Sequence, residues 1–192
     1  MSQVATDIEA EIVSMFHRGD GHAMDRLYAV YSRYLAGVCT RYVGSSDMMK
    51  DVMQESLIKI FTRIGTFRYR GPGSLRAWLT RIVVNESITM LRQRQRLAVN
   101  LTDADPPDVP DGDEEEPDVD GLSPDVMMGL LQRLPDGYRT VLNLYAIEGH
   151  SHQEIAQMLG IKVNSSASQL HRAKHMLAKM IDDYKRGKEE SR

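Results

Sequence analysis

The 192-residue sequence has one cysteine, Cys39, so no disulfide can form within the chain. A lone thiol fits a reducing cytosol. No Cys/His cluster has zinc spacing, and no metal site is expected. Aromatic residues make up only 6%, which disfavours one large aromatic-rich core and suits small helical modules. No apolar run approaches the ~20 residues of a membrane span. The start, Met1 to Glu11, is polar and acidic, unlike a signal peptide. A cytoplasmic protein is the expectation. There is no glycine-rich phosphate loop and no nucleophile motif, so neither an enzyme nor a cofactor is expected.

A basic surplus is missing too. The formal net charge is -3, which taken whole argues against a nucleic-acid binder. The distribution says otherwise. Val99 to Gly121 holds ten acids and no Lys or Arg, leaving 24 basic residues against 17 acidic ones elsewhere. Thr62 to Ala98 carries eight arginines and a single acid, Glu86.

The acidic stretch, residues 99–121, also holds Pro106, Pro107, Pro110 and Pro117. It has too little apolar surface to offset its ordering entropy and reads as a flexible linker, extended by self-repulsion. It separates a module over 1–98 from one over 122–192. Neither shows sustained period-2 alternation, so the fold class expected is all-α, two small helical domains.

In the first module, Thr6 and Glu9 read as a capping box for a helix to His17. A second helix is expected over 22–43. A third, capped by Ser45 or Ser46, runs to Ile64 with Met49, Val52, Met53, Ile60, Phe61 and Ile64 as its core stripe. A Gly/Pro loop follows, and Ser74 caps a fourth helix to Arg96. In the second module, Ser123-Pro124 opens a helix to Leu134. Pro135-Asp136-Gly137 reads as a turn, and Arg139 to Ile147 as a helix. Ser151 or His152 opens a short helix to Leu159, and a last helix spans Ser165 to Tyr184.

His152 to Leu177 has the helix-turn-helix layout, with Ala156 small enough for close crossing, Gly160 at the turn and Ile161 plugging the core. The second helix of such a unit enters the major groove. Ser165, Ser166, Ser168 and Gln169 would face base edges, while Lys162, Arg172 and Lys174 would hold phosphates. A protein-binding helical hairpin is the alternative.

The Arg-rich stretch joins Phe67, Arg68, Tyr69 and Arg70 in a loop to Trp78, Arg81, Asn85 and Arg92 on a helix. Rings that stack on unpaired bases, amid guanidiniums that hold the backbone, suit single-stranded DNA. A solvated helix face is the alternative, and Trp78 also fits an apolar stripe with Leu79, Ile82 and Val83. Finally, Asp51, Gln54 and Glu55 share one helix face. Like charges at that spacing are best explained by a basic partner, although a solvated acidic face reads the same way.

These pieces together resemble a bacterial sigma factor of the extracytoplasmic-function (group IV) type. The resemblance covers sigma region 2 at about 22–97 and region 4 at about 122–182. It is carried by Leu27-Tyr28 with Tyr31, by Asp51-Val52-Met53-Gln54-Glu55, and by Gly73-Ser74-Leu75-Arg76-Ala77-Trp78-Leu79-Thr80-Arg81-Ile82-Val83-Val84-Asn85. In the second module it is carried by Leu134-Pro135-Asp136-Gly137-Tyr138-Arg139, by Glu148-Gly149-His150-Ser151-His152-Gln153-Glu154-Ile155-Ala156, and by Ser168-Gln169-Leu170-His171-Arg172-Ala173-Lys174.

The resemblance implies an alternative sigma factor that binds core RNA polymerase. Asp51, Gln54 and Glu55 would dock on the β′ clamp helices. Phe67 to Gly73, with Trp78, Arg81 and Asn85, would open and read the -10 element, holding a flipped base. The helix from Ser165 would read the -35 element, with the second module at the β flap. The acidic linker would thread toward the polymerase active site. An anti-sigma factor, in some relatives membrane-anchored, would hold the protein inactive, and Met48, Leu57 and Ile58 would suit it. Two stretches depart from the family pattern: Asn164-Ser165-Ser166-Ala167 stands where relatives often carry Gly-Thr and a nearby Lys, so that Ala167 removes a phosphate contact, and Arg68-Tyr69-Arg70 stands where many carry an acidic or proline-containing stretch. A stand-alone helix-turn-helix regulator and a sigma-mimicking interaction protein are the competing readings.

Overall fold

The computed structural model describes residues 7–99 and 119–189. Among the described residues there are eight α-helices and no strand. Thr6 and positions 100–118 of the expected 99–121 linker lie outside them. The chain forms two compact units, one of residues 7–40 and 44–90, the other of 41–43 together with 91 onward.

The first unit contains α1 (Ile8–His17), α2 (Ala23–Thr40), α3 (Ser46–Arg63), a 3-10 turn (Ile64–Thr66) and most of α4 (Ser74–Val99). Ile12, Leu27, Leu35, Val52, Ile60, Leu75, Leu79 and Val83 form its core. α1 starts at a cap other than the one the sequence predicts. Asp7 is the N-cap, and its Oδ1 accepts the N–H groups of Glu9 (3.0 Å) and Ala10 (3.4 Å). Glu9 is therefore free for something else. It is buried, and its carboxylate accepts the Tyr31 hydroxyl (2.9 Å) and the backbone N–H groups of Leu75 (2.9 Å) and Arg76 (3.2 Å).

Glu9 thus caps α4 from another helix. A carboxylate there satisfies two orphan donors and opposes the positive end of the helix dipole. Ser74, expected as that cap, is instead the first helical residue, and its Oγ accepts the Arg70 N–H (3.2 Å). α2 ends at Thr40, short of the expected 43, and the Thr40 hydroxyl turns back onto the Ala36 carbonyl (2.9 Å).

The core row of α3 is Val52, Ser56 and Ile60, continued by Ile64 of the 3-10 turn and spaced by fours, with Met49 and Met53 only partly buried beside it. Phe61, expected in that stripe, is 63% exposed. It sits one residue, about 100°, around the helix from Ile60, and a row spaced by fours leaves it outside.

The second unit contains α5 (Pro124–Gln132), α6 (Asp136–Leu142) running into a π-helical turn (Asn143–Ile147), α7 (His152–Leu159) and α8 (Val163–Glu189). Ser123 caps α5 by accepting the Val126 N–H (3.3 Å), with Pro124 at the first helical position. Asp136 and Gly137 are the first turn of α6 and not a separate turn. Arg139 explains why. Its side chain is almost wholly buried, and it donates to the carbonyls of Gln132 (3.1 Å) and Leu134 (3.0 Å) and to the Asp136 carboxylate (2.6 Å). One guanidinium satisfies carbonyls left open where α5 ends and ties them to the start of α6.

Candidate nucleic-acid interface

α3 presents an unbroken exposed row. Asp51, Gln54, Glu55, Ile58 and Phe61 are all exposed and recur at helical spacing. The row opens acidic and ends apolar, with Ile58 at 50% exposure. Lys59, beside it, is engaged with Glu86 of α4 and leaves the acids of the row uncompensated by that residue. Met48 and Leu57 are only partly exposed.

The loop between the 3-10 turn and α4 carries the predicted single-strand residues. Arg68 and Arg70 are exposed. Phe67 and Trp78 are half-buried and pack on each other, ring centroids 5.1 Å apart at 41°. Trp78 is therefore neither a core residue nor a free platform. The Tyr69 hydroxyl donates to the Asp7 carboxylate. Gly73 turns the chain into α4 with φ +87°, in a region that L side chains rarely enter.

On α4, Arg81 and Asn85 are exposed one turn apart. Arg76 lies over the Tyr34 ring, 4.2 Å from its centroid, a cation–π pair that fixes the guanidinium at the loop's edge. Arg92 falls past the first unit, and in the second its guanidinium donates to the Met158 carbonyl (3.4 Å).

The helix-turn-helix is present as α7 and α8. Ser151 opens α7 with a full capping box: its Oγ accepts the Glu154 N–H (3.3 Å), and the Glu154 carboxylate accepts the Ser151 N–H (2.8 Å). Gly160 closes α7 with φ +69°. Ile155 and Ala156 are buried, and α7 packs on α8, whose buried row is Ser166, Leu170, Ala173, Leu177 and Ile181.

That row corrects one assignment. Ser166, expected at base edges, is fully buried, and its Oγ lies 3.0 Å from His152 Nδ1. The His152 ring stacks in turn on Tyr145 (4.8 Å, 20°). Ser166 therefore ties the two helices together and cannot touch a base. Counting back four from Leu170 would have found it. Ile161 is only partly buried at the turn, and α8 begins two residues earlier than expected, at Val163.

Lys162 and Ser168 are exposed, and Ser165, Gln169 and Lys174 half-exposed. Arg172 is half-exposed and reaches the Tyr138 hydroxyl (3.5 Å). Asn164 and Ala167 share the exposed face with Ser168, and His171 continues it. Asn164 and His171 extend the predicted set of readers, because the phase of α8, set by buried Ser166, Leu170 and Ala173, places them on this face. Among the described residues no group of His, Cys, Asp or Glu could hold a metal ion, and no helix is long and apolar enough to cross a membrane.

Comparison with known proteins agrees with this layout. The Sigma-70 region 2 family matches residues 27–97, and the Sigma-70 region 4 family matches 125–177. The chain is 31% identical to the ECF RNA polymerase sigma-E factor of Haemophilus influenzae, over 94% of this chain and 98% of that one. The chain belongs to the ECF RNA polymerase sigma factors. This sigma factor is also 29% identical to the RNA polymerase sigma-H factor of Pseudomonas aeruginosa, over 90% of its own length and 93% of the relative's. Its fold is similar to that of CnrH, solved in complex with the cytosolic domain of CnrY. That match has a TM-score of 0.50 and 23% identity and covers 92% of this chain and 99% of the other. A sigma factor works with core RNA polymerase on promoter DNA and determines which promoters are transcribed.

Proposed function

We propose that residues 1–98 dock on core polymerase and open the -10 element, that 99–121 is a linker through the polymerase, and that 122–192 reads the -35 element. The exposed row of α3 carries this reading. A stand-alone regulator has no use for three acidic or amide groups followed by Ile58 and Phe61 on one solvent-facing row. Apolar groups exposed beside charge mark a partner site. The partner is the β′ clamp helices. The loop with Phe67, Arg68, Tyr69 and Arg70 lies at the start of α4, whose exposed Arg81 and Asn85 face the same DNA. Lys162, Ser165, Ser168, Gln169, Arg172 and Lys174 of the second unit contact the -35 duplex, with Asn164 and His171 added and Ser166 removed.

An anti-sigma factor that covers Ile58 and Phe61 blocks the same row and keeps the protein inactive. The work is done in the cytoplasm, at the inner membrane face where that partner is membrane-anchored.

Run-off transcription tests the reading. Purified core polymerase and the full chain are given templates randomised over both promoter windows, and transcripts are sequenced. Starts are expected at a fixed distance downstream of two enriched motifs. Asp51→Arg with Glu55→Arg should abolish core binding at an unchanged thermal midpoint. Normal core binding by that variant refutes the docking site. A palindromic duplex bound by the free chain, with no initiation, favours the regulator.

A further inference from the structure

α1 touches the promoter-opening segment at two points. The Asp7 carboxylate uses Oδ1 to cap its own helix and Oδ2 to accept the Tyr69 hydroxyl. Two residues on, Glu9 accepts the N–H groups of Leu75 and Arg76 in the first turn of α4. Both bonds run from one rigid helix to either end of the 69–76 stretch. Between them the chain makes its glycine turns, at Gly71 and Gly73, where backbone freedom is greatest. Within the loop the Arg70 N–H donates to Ser74 Oγ (3.2 Å) and the Ser74 N–H to the Gly71 carbonyl (3.1 Å), bonds that close its turn but do not tie it to the rest of the unit. Its Arg68 and Arg70 are exposed, and at its other end Phe67 packs on Trp78 and donates its N–H to the Ile64 carbonyl (3.0 Å).

We propose that α1 is a positioning strut for the promoter-opening loop, with Asp7 and Tyr69 as positioning residues rather than base contacts. This role presupposes that the 67–73 loop is the -10 contact. Tyr69 then serves through its hydroxyl, not through its ring. The strut matters because a flipped base is received by a pocket, and a pocket that must be ordered at the moment of binding loses affinity to that ordering.

Two conservative variants isolate the bond. Asp7→Ser keeps an N-cap oxygen for α1 but is too short to reach Tyr69. Tyr69→Phe keeps the ring and removes the hydroxyl. They are measured in holoenzyme made from the full chain and core polymerase, on a template recovered from the randomised library. Permanganate reactivity of the -10 thymines reports opening, amide hydrogen exchange over 67–73 reports loop order, and core affinity serves as the control.

Each variant should lower the open fraction about tenfold, the scale of one lost charge-assisted hydrogen bond, and quicken loop exchange at unchanged core affinity. The double variant should be no worse than either single one, because both remove the same bond. Normal opening by Tyr69→Phe overturns the proposal, and so do losses that multiply in the double variant. Arg68→Ala and Trp78→Ala separate the underlying reading. If both open promoters normally, the loop is not the -10 contact, and the strut's promoter role falls with it. If they fail while Asp7→Ser and Tyr69→Phe open normally, only the strut is refuted.

Discussion

Ser166 and Cys39 show how far one side chain's surroundings decide its use. Ser166 has the chemistry of a base reader and the position of a core residue. Ser166→Ala should lower the stability of the second unit by about 1 kcal/mol, the net worth of one buried hydrogen bond. Thermal unfolding measures that loss, and the -35 motif selected from a randomised library should not change. Ser168→Ala should do the reverse. Cys39 is fully buried. Burial pushes its thiol up to about 11 from 9.0, against a smaller opposing effect of the hydrogen bond with Ser87. The folded protein therefore holds the thiol proton more tightly than the unfolded chain does. The stability this contributes is complete below pH 9 and is lost as pH rises toward 11. At pH 8 a thiol reagent should modify Cys39 only as fast as the protein unfolds, and rapid labelling of the native state would contradict this.

At the scale of elements, the informative cases are helix ends. Glu9→Ala leaves two α4 donors and the Tyr31 hydroxyl without their acceptor. It should cost the first unit about 3 kcal/mol, with Glu9→Gln costing less, as read from urea unfolding. Gly160→Ala forces a Cβ into left-handed backbone and should cost the second unit about 1–2 kcal/mol. Ends closed by neighbours in sequence were legible: Ser45 and Ser151 are caps, each one of two candidates the sequence offered, Ser123 caps the helix that opens at Ser123-Pro124, and Gly160 ends α7. Ends closed from afar were not. The spacing of Thr6 and Glu9 matches a capping box, but Glu9 serves a helix far along the chain, and nothing in local spacing records that. The same limit hid the burial of Arg139, whose partners include carbonyls that belong to no side-chain pattern. The candidate site was legible as a set of residue types. Its members had to be re-sorted by helical phase, which brought Phe61 out to the surface and took Ser166 into the core.

For the whole molecule, charge is arranged by segment. Replacing the ten acids of 99–121 by Asn, Gln or Ser takes the formal net charge from -3 to +7. Tethered acids compete with phosphates for the same arginines, so the neutralised chain should bind non-specific duplex about tenfold more tightly at low salt, with the gain disappearing as salt is raised. Fluorescence anisotropy on a random duplex checks this, and unchanged affinity would mean that the linker acids do not screen the basic surfaces. The Glu9 bond to Leu75 has a different consequence, because it joins residues 66 positions apart. As the chain leaves the ribosome, α1 emerges among the first elements and the start of α4 much later. Until Leu75 and Arg76 are out, the Glu9 carboxylate has no backbone donors to bury against and stays in water. The Glu9 contacts that close the first unit therefore form only after the chain has been made through Arg76.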